Sequence, residues 1–174
     1  MFFMSLPAET IHSFNSLMIA IDPESKKPAF ALISRHQPNA ILLDQLPLNP
    51  IAKWYSLFKE NEIGTLIIES QYLDRSKSPQ SLLTLTMSAG MLIGIAKLLN
   101  IKIITVSPST WQSAMLGKGN RKTLKQLSVM RASSELETNV NDHIADAYNM
   151  LQWYRTFEKQ SSTAKSNHRR SLCH

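Results

Sequence analysis

Cysteine occurs once in this 174-residue chain, at Cys173, so neither a disulfide framework nor a cysteine-ligated zinc site is open to it. Glycine is scarce at five residues, and none of them forms a Gly-rich phosphate loop of the kind an ATPase needs. No run reaches the roughly 18 apolar residues of a membrane span. The opening Met1 to Pro7 lacks a basic n-region, and Pro7 and Glu9 cut its apolar stretch short, so no signal peptide is expected. The composition fits a reducing, cytoplasmic setting. What is present is 43% hydrophobic and 18% charged residues, enough to exclude a wholly disordered chain. A chain of this length makes one domain, burying about two-thirds of its unfolded surface.

One more absence is local. Between Asp74 and Glu135 there is no acid, while Arg75, Lys77, Lys97, Lys102, Lys118, Arg121, Lys122, Lys125 and Arg131 all fall there. All 13 acids stand at or before Glu158, and the net charge is +6. A basic face set apart from an acidic cluster suits a nucleic-acid enzyme, with cations for phosphate and carboxylates for metal. A merely solvated basic surface is the plainer alternative. Residues 159–174, basic and rich in Ser and Thr, have little to bury and are expected to be a disordered tail. Residues 1–158 then form the domain, with 1–16 an extension of unassigned structure.

Leu17 to Ile21 is a continuous apolar run closed by Asp22-Pro23, the pattern of a buried strand. Pro28 to Ser34 and Ala40 to Leu46 give two more strands, separated by turn-type residues as in an antiparallel meander. Ile51 to Asn61 has helical spacing, and Leu66 to Ile68 is a fourth strand ending in Glu69. Pro79 opens a long helix to about Asn100, whose Ala89, Gly90 and Gly94 form a small face. Lys102 to Val106 is a fifth strand, followed by a short helix around Trp111, a loop from Gly117 to Asn120, and a basic helix from Arg121 to about Met130. Asn141 can cap a last helix to about Phe157. Three early strands followed by alternating strand and helix predict an α/β domain with a mixed sheet.

Asp22 and Glu69 each terminate a buried apolar strand. If those strands are parallel neighbours, both acids emerge at the carboxyl edge of the sheet, where open α/β sheets place ligands. His143 and Asp146, three apart on the last helix, share a face that continues through Ala147, Met150 and Tyr154. A charge beside such apolar neighbours is expensive, so something positive is expected to meet Asp146. Asp142, in the first helical turn, is better placed to meet the helix dipole than to catalyse. Taken singly, Asp22 fits a turn, Glu69 a strand end and His143 a packed histidine. Gathered at one edge, the carboxylates repel unless a divalent cation joins them, and oxygen-rich ligation without thiolates favours Mg²⁺ or Mn²⁺.

The order of these pieces resembles the RuvC family of Holliday-junction resolvases, within the RNase H-like superfamily, over about residues 17–155. The matching segments are Ile19-Ala20-Ile21-Asp22-Pro23, Ile67-Ile68-Glu69, Val106-Ser107-Pro108 with Gly117 and Gly119, and Asp142-His143-Ile144-Ala145-Asp146-Ala147. The resemblance implies an RNase H-like fold, a five-stranded mixed sheet with helices on both faces. It implies a nucleoid-associated, homodimeric endonuclease that nicks two strands of a four-way junction symmetrically. Asp22, Glu69 and Asp146 would be its metal-binding catalytic acids, holding two Mg²⁺ about 4 Å apart with Mn²⁺ able to substitute. His143, at a position where some members carry Asp and others His, would ligate metal or move protons. Tyr72 matches an aromatic position that stacks on a base near the crossover. Lys122 matches a basic position near the scissile phosphate, with Lys118, Arg121 and Lys125 holding phosphate beside it. Three departures are Glu24, where the family often has Gly, Gln112, where it has Lys, and a loop from Gly117 to Lys122 slightly shorter than in the best-known bacterial members. Branch-migration partners are not carried over by the resemblance. Two rival readings share the fold: a scaffold that binds branched DNA without cutting, and a nuclease acting on RNA–DNA hybrids.

Overall fold

The structure, a computed structural model, describes residues 17–23, 26–34, 37, 39–70 and 78–171, with side chains as far as residue 160. Its strands are β1 (Leu17–Asp22), β2 (Ala29–Ser34), β3 (Ile41–Gln45), β4 (Ile63–Glu69) and β5 (Lys102–Val106). Its helices are α1 (Ala52–Glu60), α2 (Pro79–Leu98), α3 (Pro108–Leu116), α4 (Arg121–Glu135) and α5 (Asp142–Ser171). The sheet order is β3-β2-β1-β4-β5. β1–β2 and β2–β3 pair antiparallel, whereas β1–β4 and β4–β5 pair parallel, so the expected meander and mixed sheet are both present.

The strands are apolar throughout because both faces are covered, and alternation divides their side chains between two cores. Met18 and Ala20 of β1, Ala29, Ala31 and Ile33 of β2, and Ile67 of β4 face α3, α4 and α5. Ile19, Ile21, Phe30, Leu32, Leu66 and Ile68 face α1 and α2, where they meet Trp54, Phe58, Leu92 and Ile95. The first face is lined by small residues, and α5 answers with Ala145 and Ala147, both fully buried, so small residues meet on both sides of that contact. The second face is filled instead by aromatic edge-to-face pairs, Phe30–Trp54 at 5.8 Å and Trp54–Phe58 at 6.2 Å.

Helix starts follow the sequence. Ser78, Ser107 and Asn120 cap α2, α3 and α4 by accepting from Ser81, Thr110 and Thr123 N–H, and Asn141 caps α5 by accepting from Ile144 N–H. Two helices run longer than expected. α4 continues to Glu135, and α5 continues through Ser171, where a disordered tail was expected from residue 159. No proline or glycine interrupts the chain from Asp142 onward, so nothing in the backbone chemistry stops the helix. No uninterrupted apolar run of membrane-span length occurs in α2, whose sequence carries Gln80, Ser81, Thr84, Thr86, Ser88 and Lys97 among its apolar residues. α2 is long and apolar enough to cross a membrane by length and composition, with mean hydropathy 1.5 over its best 18-residue window. One face of α2 packs on the sheet through Ser88, Ala89, Leu92, Ile95 and Ala96, the pattern of a core helix, while Leu83, Met87, Met91 and Leu98 stand exposed on it.

Candidate active site at the carboxyl edge of the sheet

Strand register places the two strand-end acids together. Ile21 pairs with Ile68 across the parallel β1–β4 ladder, so Asp22 and Glu69, one residue further on, are neighbours at the carboxyl edge. Alternation also sends them the same way. Asp22 follows the parity of Met18 and Ala20, Glu69 that of Ile67, and both therefore lie on the side covered by α3, α4 and α5. α5 starts over that edge and supplies the other two groups. His143 Nδ1 lies 2.7 Å from Asp22 Oδ2, a direct contact between the last helix and the first strand.

Asp146, one turn along, accepts a hydrogen bond at Oδ1 from Ser128 Oγ of α4, at 2.5 Å. The expected positive partner is thus replaced by a neutral hydroxyl. Burial, opposed in part by that hydrogen bond, and the nearby charges of Asp22 and Asp142 push the Asp146 pKa up from 3.8 to about 6. Glu69 accepts at Oε2 from the indole N–H of Trp111 on α3, at 3.0 Å. Trp111 is fully buried and Ser128 nearly so, and sequence reasoning gave neither a role at the site. The one available signal was a large aromatic and a serine sitting on otherwise polar helices, a pattern that core packing explains equally well.

Asp142 opens α5 and forms a close ion pair with Lys125 of α4. Burial works to raise its pKa, yet the Lys125 contact and the charge of His143 prevail and hold it below the ordinary carboxylate value. Lys125, expected to hold phosphate, therefore already meets an acid in this structure. Lys118, Arg121 and Lys122 are exposed on the loop and first turn of α4. Beside them α3 and the loop enclose an open groove of about 540 Å³ lined by Pro108, Ser109, Gln112, Ser113 and Lys118. Gly117 in that loop has φ +83°, a conformation that disfavours any side chain. Arg131, the last of the basic series, turns inward, donating to the Met115 carbonyl at 2.7 Å and pairing with Glu135 at 2.9 Å. Tyr72 lies outside the described residues.

The donor set is three carboxylates and an imidazole with no thiolate, and one carboxylate is charged at neutral pH only against the pull of burial. That chemistry fits a hard divalent cation. Among the described residues, however, no three His, Cys, Asp or Glu side chains converge closely enough to cage an ion.

Comparison with known proteins supplies the remaining facts. A family model described as Lactococcus phage M3 protein matches residues 50–156. The crossover junction endodeoxyribonuclease RuvC of Chlamydia muridarum (strain MoPn / Nigg) is 36% identical over 86 residues, 48% of this chain and 49% of that protein. The protein of the same name from Chlamydia trachomatis serovar L2 is 30% identical over 97 residues, 53% of this chain and 55% of that protein. The chain spans about half the length of the curated relatives it matches. Among solved structures, Thermus thermophilus RuvC in complex with Holliday junction substrate superposes with a TM-score of 0.64 at 11% identity, covering 84% of this chain and 96% of that one. A complex of fowlpox virus resolvase with substrate Holliday junction DNA gives 0.54 at 18% identity, covering 81% and 98%. The fold is that of RuvC, RNase H-like, with the expected five-stranded mixed sheet.

Proposed function

Since the chain belongs to the family described as Lactococcus phage M3 protein, and folds as junction resolvases do, we propose that it is a crossover junction endodeoxyribonuclease. It would resolve four-way DNA junctions by paired symmetric nicks through metal-assisted phosphodiester hydrolysis. The observation that carries this reading is the delivery of Asp22, Glu69, His143 and Asp146 to one face of one sheet edge by four separate constraints: strand end, strand register, parity and helix start. A protein that only bound DNA would gain nothing from carboxylates facing phosphate.

In this reading Asp22, Glu69, Asp146 and His143 hold two divalent cations, Mg²⁺ with Mn²⁺ able to substitute. Bound there, the cations would lower the pKa of water and stabilise the leaving 3′ oxygen. The chain's own part is to place and to hold. His143, in contact with Asp22, can accept or return a proton at its ring nitrogen. Lys118, Arg121 and Lys122 clamp phosphate, and Lys125 would exchange Asp142 for phosphate when DNA arrives. Tyr72 would stack on a base near the crossover.

Symmetric cutting requires two copies, and α2 offers an exposed apolar surface for them. Leu83, Met87 and Met91 recur every four residues on an exposed stripe. No charge occurs on the helix before Lys97, and nothing lies within 4 Å of a side chain added at Gly90 or Gly94, so a second backbone could approach closely. We assign the homodimer contact to this face.

The test is cleavage of a labelled immobile junction, with linear duplex and RNA–DNA hybrid alongside, in Mg²⁺ and in EDTA. Paired metal-dependent nicks confined to the junction are expected; preferential cutting of the hybrid would transfer the protein to the ribonuclease branch. A second reading, a scaffold that binds junctions without cutting, draws on the absence of a preformed three-ligand cage among the described residues. Tight junction binding with no cuts in Mg²⁺ or Mn²⁺ would establish it.

A further inference from the structure

The two buried donors behind the acids have a feature in common: both are neutral. Trp111 Nε1–H reaches Glu69 Oε2 from α3 at 3.0 Å, and Ser128 Oγ–H reaches Asp146 Oδ1 from α4 at 2.5 Å. A lysine or arginine in either place would satisfy the carboxylate and also cancel its charge. An indole and a hydroxyl orient the carboxylate oxygen they touch and do not themselves cancel its charge.

The direction of the second bond is fixed by a third residue. Asn149, fully buried on α5, donates Nδ2–H to the Ser128 carbonyl at 3.0 Å and lies 3.0 Å from Ser128 Oγ. A carbonyl can only accept, so the amide nitrogen must face Ser128. The serine hydroxyl then accepts from Asn149, and its single proton is committed to Asp146. Asn149 Oδ1 meets no protein donor among the described residues. An apolar side chain would fill that space without the cost of an unmet buried amide oxygen. The arrangement is costly as packing and makes sense as a holder for Ser128.

We propose that Trp111 and Ser128, the latter aimed by Asn149, are positioning residues that fix the Glu69 and Asp146 carboxylates for divalent-cation binding. The proposal rests on the reading of those acids as metal ligands. The two donors also flank the stretch that carries Lys118, Arg121, Lys122 and Lys125, so the segment that would grip phosphate is tied at both ends to the acids.

The experiment is a calorimetric titration of the full chain with Mn²⁺, run on wild type, Ser128→Ala and Trp111→Phe after thermal melts confirm each is folded. It is paired with junction binding in Ca²⁺ and the Mg²⁺ dependence of cleavage. Loss of such a supporting hydrogen bond typically weakens metal binding about 10–100-fold. Ser128→Ala should lose Mn²⁺ affinity on that scale, need correspondingly more Mg²⁺ for half-maximal cutting, recover in excess Mn²⁺, and bind junction as wild type does. Because Trp111 is a core residue, Ser128→Ala decides the matter should Trp111→Phe fail to fold. Variants that bind Mn²⁺ as tightly as wild type overturn the positioning role. A wild-type chain that binds no Mn²⁺ overturns the metal reading itself, so the two failures are told apart in one titration.

Discussion

Asp146 is the residue on which charge, burial and chemistry pull hardest against one another. Its pKa near 6 in the folded state stands above the ordinary 3.8, so the folded chain binds a proton there that the unfolded chain has released. Stability from this group is therefore fully retained below about pH 4 and is lost as pH rises through about 6, at most about 3 kcal/mol and less for a side chain partly in solvent. Asp146→Asn keeps an acceptor for Ser128 and removes the charge. The metal-free variant should melt a few degrees above wild type at pH 7.5, with the gap closing near pH 4.5; equal melting points at both pH values would refute the assignment. The same substitution, and Asp22→Asn with it, should reduce junction cleavage by about 10²-fold or more while leaving junction binding in Ca²⁺ intact. Intact cleavage in either variant would remove that acid from the mechanism.

At the scale of elements, the proposed grip on phosphate is assigned to the exposed cations on the loop and first turn of α4 rather than to the whole run of positive residues. Lys122→Ala should lower junction affinity and reduce the slope of log affinity against log salt by about one. Lys125→Ala should have a smaller effect, because Lys125 already has Asp142 as a neighbour; filter binding across a salt series separates the two. The elements themselves were largely legible in the sequence. Apolar runs bounded by Asp22-Pro23 and Glu69 gave β1 and β4, and Ser78-Pro79, Ser107-Pro108 and Asn141 marked three helix starts. The positions of Asp22 and Glu69 at one sheet edge were legible because each ends a strand. Contacts between elements were not. Nothing local in the chain says that Trp111 reaches Glu69 from 42 residues away, or that Ser128 reaches Asp146. Arg131 was equally opaque: a cation in a basic run, it is turned by α3 packing toward the Met115 carbonyl. The end of α5 was missed for another reason, since polar composition argued for disorder while the uninterrupted backbone of residues 142–171 allows helix.

For the whole molecule, the prediction concerns copy number. Met87→Glu, alone or with Met91→Glu, places charge in the middle of the exposed α2 stripe. Sedimentation equilibrium should show the wild type as a dimer and the variants as monomers, with paired nicking of junctions replaced by uncoordinated single nicks; variants that remain dimeric and nick in pairs would move the contact elsewhere. The parity of the sheet has a consequence for descent. Because Asp22 and Glu69 share a face only through the two-residue repeat of β1 and β4, inserting or deleting one residue within either strand would carry its acid through the sheet into the opposite core. Lineages of this chain can lengthen or shorten the connections between strands, and can lose an acid outright. In the proposed mechanism neither acid can slide to the next position along its strand, because that step alone would take it off the shared face.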